Sequence, residues 1–212
     1  PDEVDVDGDR WIAVLEQLDD LRSKGEAYLA RFRTFGEAIA GQLEGVELVE
    51  PHLAYEGAAE IMLGGRSAQL RAFGLGHTRG DQVVFVPEQR VLFAGDLVEN
   101  RCFAIFPWFP PDEVDVDGDR WIAVLEQLER LEPAVVVPGH GEVGDAGVIV
   151  TAREYLEQLR SETRRLVEDG ASEDEVVAEL DRSMRELHPD WAQPEWIAFG
   201  ARHFYAASGN RG

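Results

Sequence analysis

One stretch of this 212-residue chain occurs twice without a single change. Residues 1–18 read PDEVDVDGDRWIAVLEQL, and so do residues 111–128. Identity at every position is not a product of chance. Two copies separated by so long an interval do not make a solenoid, whose repeats recur at short, regular periods. The second copy runs smoothly into its surroundings, whereas the first begins abruptly. Residues 1–18 therefore read as a transplanted duplicate, and 19–212 as the body of the protein.

Each copy combines an acidic loop with an amphipathic helix. Asp7 or Asp9, and Asp117 or Asp119, can cap the helix by accepting hydrogen bonds from free backbone amides. Trp121, Val124, Leu125 and Leu128 then share one face, as do Trp11, Val14, Leu15 and Leu18. A calcium loop is the competing reading. Aligning Glu3, Asp5, Asp7 and Gly8 to such a loop puts Val14 where the bidentate Glu must stand, and Val124 fails in the same way.

Helical spacing continues from Leu21 to Leu43, followed by a short strand at Val46–Glu50. Two hairpins come next. One pairs Glu60–Leu63 with Ser67–Phe73 across Gly64-Gly65; the other pairs Gln82–Val86 with Arg90–Ala94 across Pro87-Glu88-Gln89. Ala134–Val137 is wholly apolar, as a strand buried on both faces would be. Helices are expected over about 146–168, 172–187 and 194–205. Strands alternating with helices indicate a layered α/β domain.

The charge balance narrows the partners. A formal net charge of −22 disfavours nucleic acid and anionic membranes. No apolar run approaches the roughly 20 residues of a membrane span, and the acidic start differs from a signal peptide. A cytoplasmic location is the expectation. The one cysteine, Cys102, lies in an apolar run and reads as a buried or lining residue.

Three short motifs carry potential chemistry. They are Gly74-Leu-Gly-His77-Thr78-Arg-Gly80-Asp81, Leu92-Phe-Ala-Gly95-Asp96, and Val135-Val-Val-Pro138-Gly139-His140-Gly141. Each sets a His or Asp after an apolar strand and beside glycine, so all three could gather at the rim of a sheet. Such rims are rigid platforms for metal ligands, and His and Asp suit zinc that activates water.

This series, GHTRGD then LFAGD then VVVPGHG, resembles the second half of the metal-site pattern of the metallo-β-lactamase superfamily, over about Val46 to Tyr205. The resemblance implies an incomplete αββα sandwich with a helical C-terminal tail. It implies His77 as a ligand of a first zinc, His140 as a ligand of a second, and Asp96 as their bridge, orienting the nucleophile. Thr78 and Gly139 would shape the site without binding metal. Intact relatives of this kind are zinc hydrolases of small ester, thioester, lactone, amide or phosphoester substrates, with two ions per domain.

The family's first motif, H-x-H-x-D-H, has no counterpart here. The remaining histidines, His52, His188 and His203, read as structural or surface residues. With that motif missing, zinc binding is expected to be weak or absent and hydrolysis impaired. The alternative is a non-catalytic, rearranged fragment acting as a structural or self-associating module. Loss of half the sandwich would also expose the apolar face of the remaining sheet. Two identical segments competing for one slot are a route to a homodimer by domain swapping.

Overall fold

A computed structural model describes residues 54–107 and 116–209. Apart from Ala54, these belong to one compact unit, Tyr55–Pro107 with Asp115–Gly212. The first copy of the repeat, the helical spacing at 21–43, the strand at 46–50 and His52 lie outside the described residues.

Five strands form one sheet in the order β1-β2-β3-β4-β5. They are β1 Ala58–Met62, β2 Ser67–Ala72, β3 Gln82–Val86, β4 Val91–Glu99 and β5 Val135–His140. The first four run antiparallel to one another in sequence order. Both expected hairpins are present. The first turns through Gly64 and Gly65, both at positive φ. The second turns at Arg90, also at positive φ, whose N–H donates to Pro87 O at 3.1 Å. The β5 strand lies parallel to β4, and the chain crosses between them through helix α1, Gly118–Glu129.

Helix α1 begins where the sequence places a cap. Asp117 is extended, and its carboxylate accepts the Arg120 N–H at 2.9 Å. Trp121, Val124, Leu125 and Leu128 are all buried, with Ile122 beside them. Three further helices follow: α2 Gly147–Glu168, α3 Glu173–Leu187 and α4 Trp196–Gly209. Their apolar faces and that of α1 join Val83, Phe85, Leu92 and Val136 in one core. That core contains Leu156, Leu159, Leu180, Met184, Ile197 and Phe204 as well. One sheet face is thus covered by helices.

The opposite sheet face is apolar too. Leu70, Val84, Phe93 and Val137 lie in a row across β2 to β5. Phe93 is 47% exposed, Ile61 38% and Val135 37%. This corrects the expectation that 134–137 is buried on both faces: Val136 is sealed under the helices while Val135 reaches solvent. Successive residues of a strand face opposite sides of its sheet, and among the described residues the helices pack on the side that Val136 faces.

Candidate functional site

Asp96 and His140 meet at the β4–β5 seam. Both lie inside their strands rather than after them, which corrects the simple picture of ligands just beyond a strand end. The β4–β5 ladder slips between Phe93 and Gly95 and again between Gly95 and Glu99. Gly95 takes φ +54, a conformation glycine adopts without strain. This irregularity bends β4 and presents Asp96 beside the end of β5. Gly139 permits the close approach. A Cβ there would fall 1.9 Å from Asp96 Oδ1 and 2.8 Å from Asp96 N. His140 Nε2 stands 3.6 Å from Asp96 Oδ1, with the two side chains 40% and 42% exposed. The seam continues with Asn100, whose N–H donates to His140 O at 2.9 Å.

His77 has different neighbours. It is buried. Its Nδ1 faces Asp81 Oδ1 at 3.8 Å, and its ring meets the Trp121 ring edge-on at 5.1 Å. The loop around it is tightly tied. Asp81 Oδ1 accepts the Thr78 N–H at 2.8 Å and the Thr78 hydroxyl at 2.9 Å. The Asp117 N–H donates to Gly76 O at 2.8 Å, so the start of α1 anchors this loop. His77 Nε2 and Asp81 Oδ2 are buried without a hydrogen-bond partner among the described residues.

The structure therefore brings Asp96 to His140 but does not gather His77 with them. Among the described residues no three His, Cys, Asp or Glu side chains are placed to hold one metal ion. A catalytic zinc takes three protein ligands and a water. Two half-exposed donors on the seam, with the His77 imidazole buried among other neighbours, do not fit that requirement.

The two other described histidines and the cysteine are held by packing. His203 Nε2 accepts the Gly118 N–H at 3.0 Å, and burial lowers its pKa. His188 stacks on Trp191 with ring centroids 3.9 Å apart. Cys102 is buried, and burial followed by the nearby Glu99 raises its pKa.

Glu99 is the residue that sequence reasoning overlooked. It closes β4, is almost fully buried, and sits against the β5 residue His140 in the ladder. Burial pushes its pKa up to about 8; the Ile105 N–H opposes this, and the charge on Asp96 adds to it. The sequence gives little sign of it, because Asn100 and Arg101 follow Glu99 directly and make it look like an ordinary polar residue.

Comparison with known proteins agrees with the motifs. The family model described as "Metallo-beta-lactamase superfamily" matches residues 10–140, more than half of the chain and the span holding His77, Asp96 and His140. The chain belongs to that superfamily. A metallo-beta-lactamase type 2 of Bacteroides fragilis is 25% identical over 118 residues, covering 54% of this chain and 45% of its own length. One from Bacillus cereus is 31% identical over 85 residues, covering 39% and 32%. A solved metallo-beta-lactamase from Pontibacter korlensis overlaps 56% of this chain and 54% of its own, at 25% identity and a TM-score of 0.44. The chain thus spans about half or less of the curated relatives it matches, and the assignment rests on the family model. Among the described residues, no helix is long and apolar enough to cross a membrane.

Proposed function

We propose that this chain is a hydrolase of the metallo-β-lactamase type, acting on small esters, thioesters or similar acyl substrates, with its activity impaired. The carrying observation is the family match across the three motifs, combined with the 3.6 Å approach of Asp96 and His140. Zinc is the ion that Asp96 and His140 would meet in an intact site, where it supplies an activated water. In this chain the pair orients at most a polar group at the seam. The impairment is inferred from the donor set: two potential donors at the seam among the described residues, and no H-x-H-x-D-H motif within residues 1–212.

The test is hydrolysis of a panel of esters, thioesters, lactones and a β-lactam in zinc-supplemented buffer. The expected result is slow turnover of at least one substrate, diminished in Asp96→Asn and in His140→Ala. Turnover that matches buffer alone, and is unchanged by either substitution, overturns the reading.

A second reading, a self-associating module, draws on the repeat. The pocket around α1 is specific. The Trp121 indole donates to Leu97 O at 2.9 Å. The Arg120 guanidinium donates to Phe73 O at 3.0 Å. Asp119 pairs with Arg160 at 2.7 Å and with Arg164 at 3.2 Å. Trp11, Arg10 and Asp9 repeat those side chains in the same order. Residues 8–18 of a second copy therefore have every group needed to replace 118–128. Sedimentation at micromolar concentration tests it: dimers support the exchange, and a strictly monomeric mass contradicts it.

A further inference from the structure

Behind the Asp96–His140 seam lies a small, narrow space between the sheet and α2. Its apolar walls are Leu97, Ala104, Trp121, Leu156 and Trp191, with the Cys102 thiol among them. Two polar side chains also line it, Glu99 and Tyr155. Both are more than nine-tenths buried.

These two groups present unpaired atoms. Glu99 Oε2 accepts the Ile105 N–H at 2.9 Å, but Oε1 has no partner among the described residues. The Tyr155 hydroxyl has none either. The tyrosine ring is held in place by edge-on or tilted contacts with Phe103 and Trp191, at centroid distances of 5.7 and 5.5 Å. It is also packed against His188. Swinging the hydroxyl out to solvent would break all three contacts. Buried polar atoms in folded proteins are nearly always satisfied by protein or by ordered water. Glu99 and Tyr155 are close enough for the carboxyl to raise the tyrosine pKa, yet they form no direct hydrogen bond. A gap of that kind between two polar groups is where a bridging molecule sits.

The size of the space selects the molecule. The centre of a water-sized sphere has about 10 Å³ in which to move. That is about the room one water requires, and too little for any organic ligand. Water also matches the chemistry. It can accept from a protonated Glu99 Oε1, or donate to it once the carboxyl ionises, while exchanging a hydrogen bond with Tyr155 Oη, and the Cys102 thiol offers a weak third contact.

We infer that Glu99 and Tyr155 form a binding site for one internal water, which bridges the end of β4 to α2. The site lies directly behind the seam, because Glu99 is the ladder partner of His140. The water thus joins the strand that carries Asp96 to the helical layer. This inference stands independently of any hydrolase activity, since no catalytic group takes part in it.

The experiment is a crystal structure of the full chain at a resolution that shows ordered solvent, paired with a thermal double-mutant cycle. The expected density is a single water within hydrogen-bond distance of both Glu99 Oε1 and Tyr155 Oη. In the cycle, Tyr155→Phe and Glu99→Gln are expected to be non-additive: the double variant melts close to the worse single one. A dry space, a direct Glu99–Tyr155 hydrogen bond, or a peak that refines as a metal ion overturns the inference. Strictly additive melting shifts do so as well. If a variant does not fold, the wild-type density decides alone.

Discussion

Replacing Glu99 by glutamine should change how the stability of this protein depends on pH. The Glu99 carboxyl is buried at the end of β4, and its pKa rises from the ordinary 4.5 to about 8. Below pH 4.5 the folded and unfolded chains both hold the proton, so the group contributes no pH dependence. Between those two values only the unfolded chain releases it. Folding stability therefore falls as pH rises through this window, by about 1.4 kcal/mol per pH unit. Above pH 8 the loss is complete, and over a window of about 3.5 pH units it amounts to roughly 4 to 5 kcal/mol. Glutamine keeps the carbonyl that accepts the Ile105 N–H but has no proton to lose. Urea unfolding of both proteins from pH 4 to pH 9 isolates the effect, because every other titrating group is common to the two. The variant should gain on the wild type steadily across the window and level off near pH 8. Parallel stability profiles would refute the reasoning, since they would mean that the carboxyl titrates alike in both states.

Three substitutions probe the geometry more simply, each read from the urea midpoint. Asp117→Ala removes the cap of α1 and should cost about 1 kcal/mol. Gly118→Ala puts a Cβ 2.5 Å from the Phe204 ring, which is itself buried, and should cost about 1–3 kcal/mol by overpacking. Gly139→Ala drives a Cβ into Asp96 at the seam and should destabilise by a similar amount, about 1–3 kcal/mol; a neutral result would show that Asp96 does not pack against Gly139.

What could be read from the sequence was the part set by local chemistry. The α1 face from Trp121 to Leu128 follows from helical spacing, and Asp117 caps it as a short carboxylate before a helix should. The Gly64-Gly65 turn likewise declares its hairpin. What stayed hidden depends on distant partners. The slip that carries Asp96 into a bent β4 exists only because β5 pairs beside it. The alternating exposure of Val135 and Val136 depends on which sheet face the described helices pack against. Glu99 is followed by the polar Asn100 and Arg101, which give no sign of burial, yet Tyr155 and Trp191 line the same small space with it. The motifs identified the three candidate ligands but not their arrangement. His77 faces Asp81, which closes its own motif, and Trp121 on α1, a contact across 44 residues that the motif does not reveal.

Zinc content bears most directly on the claim that the seam holds a pair rather than a complete ligand set. Elemental analysis of the full chain, purified without chelators, should find well below one ion per molecule, with no change in His77→Ala. Near-stoichiometric zinc that disappears in both His77→Ala and His140→Ala would contradict the account, because it would require those imidazoles to share an ion.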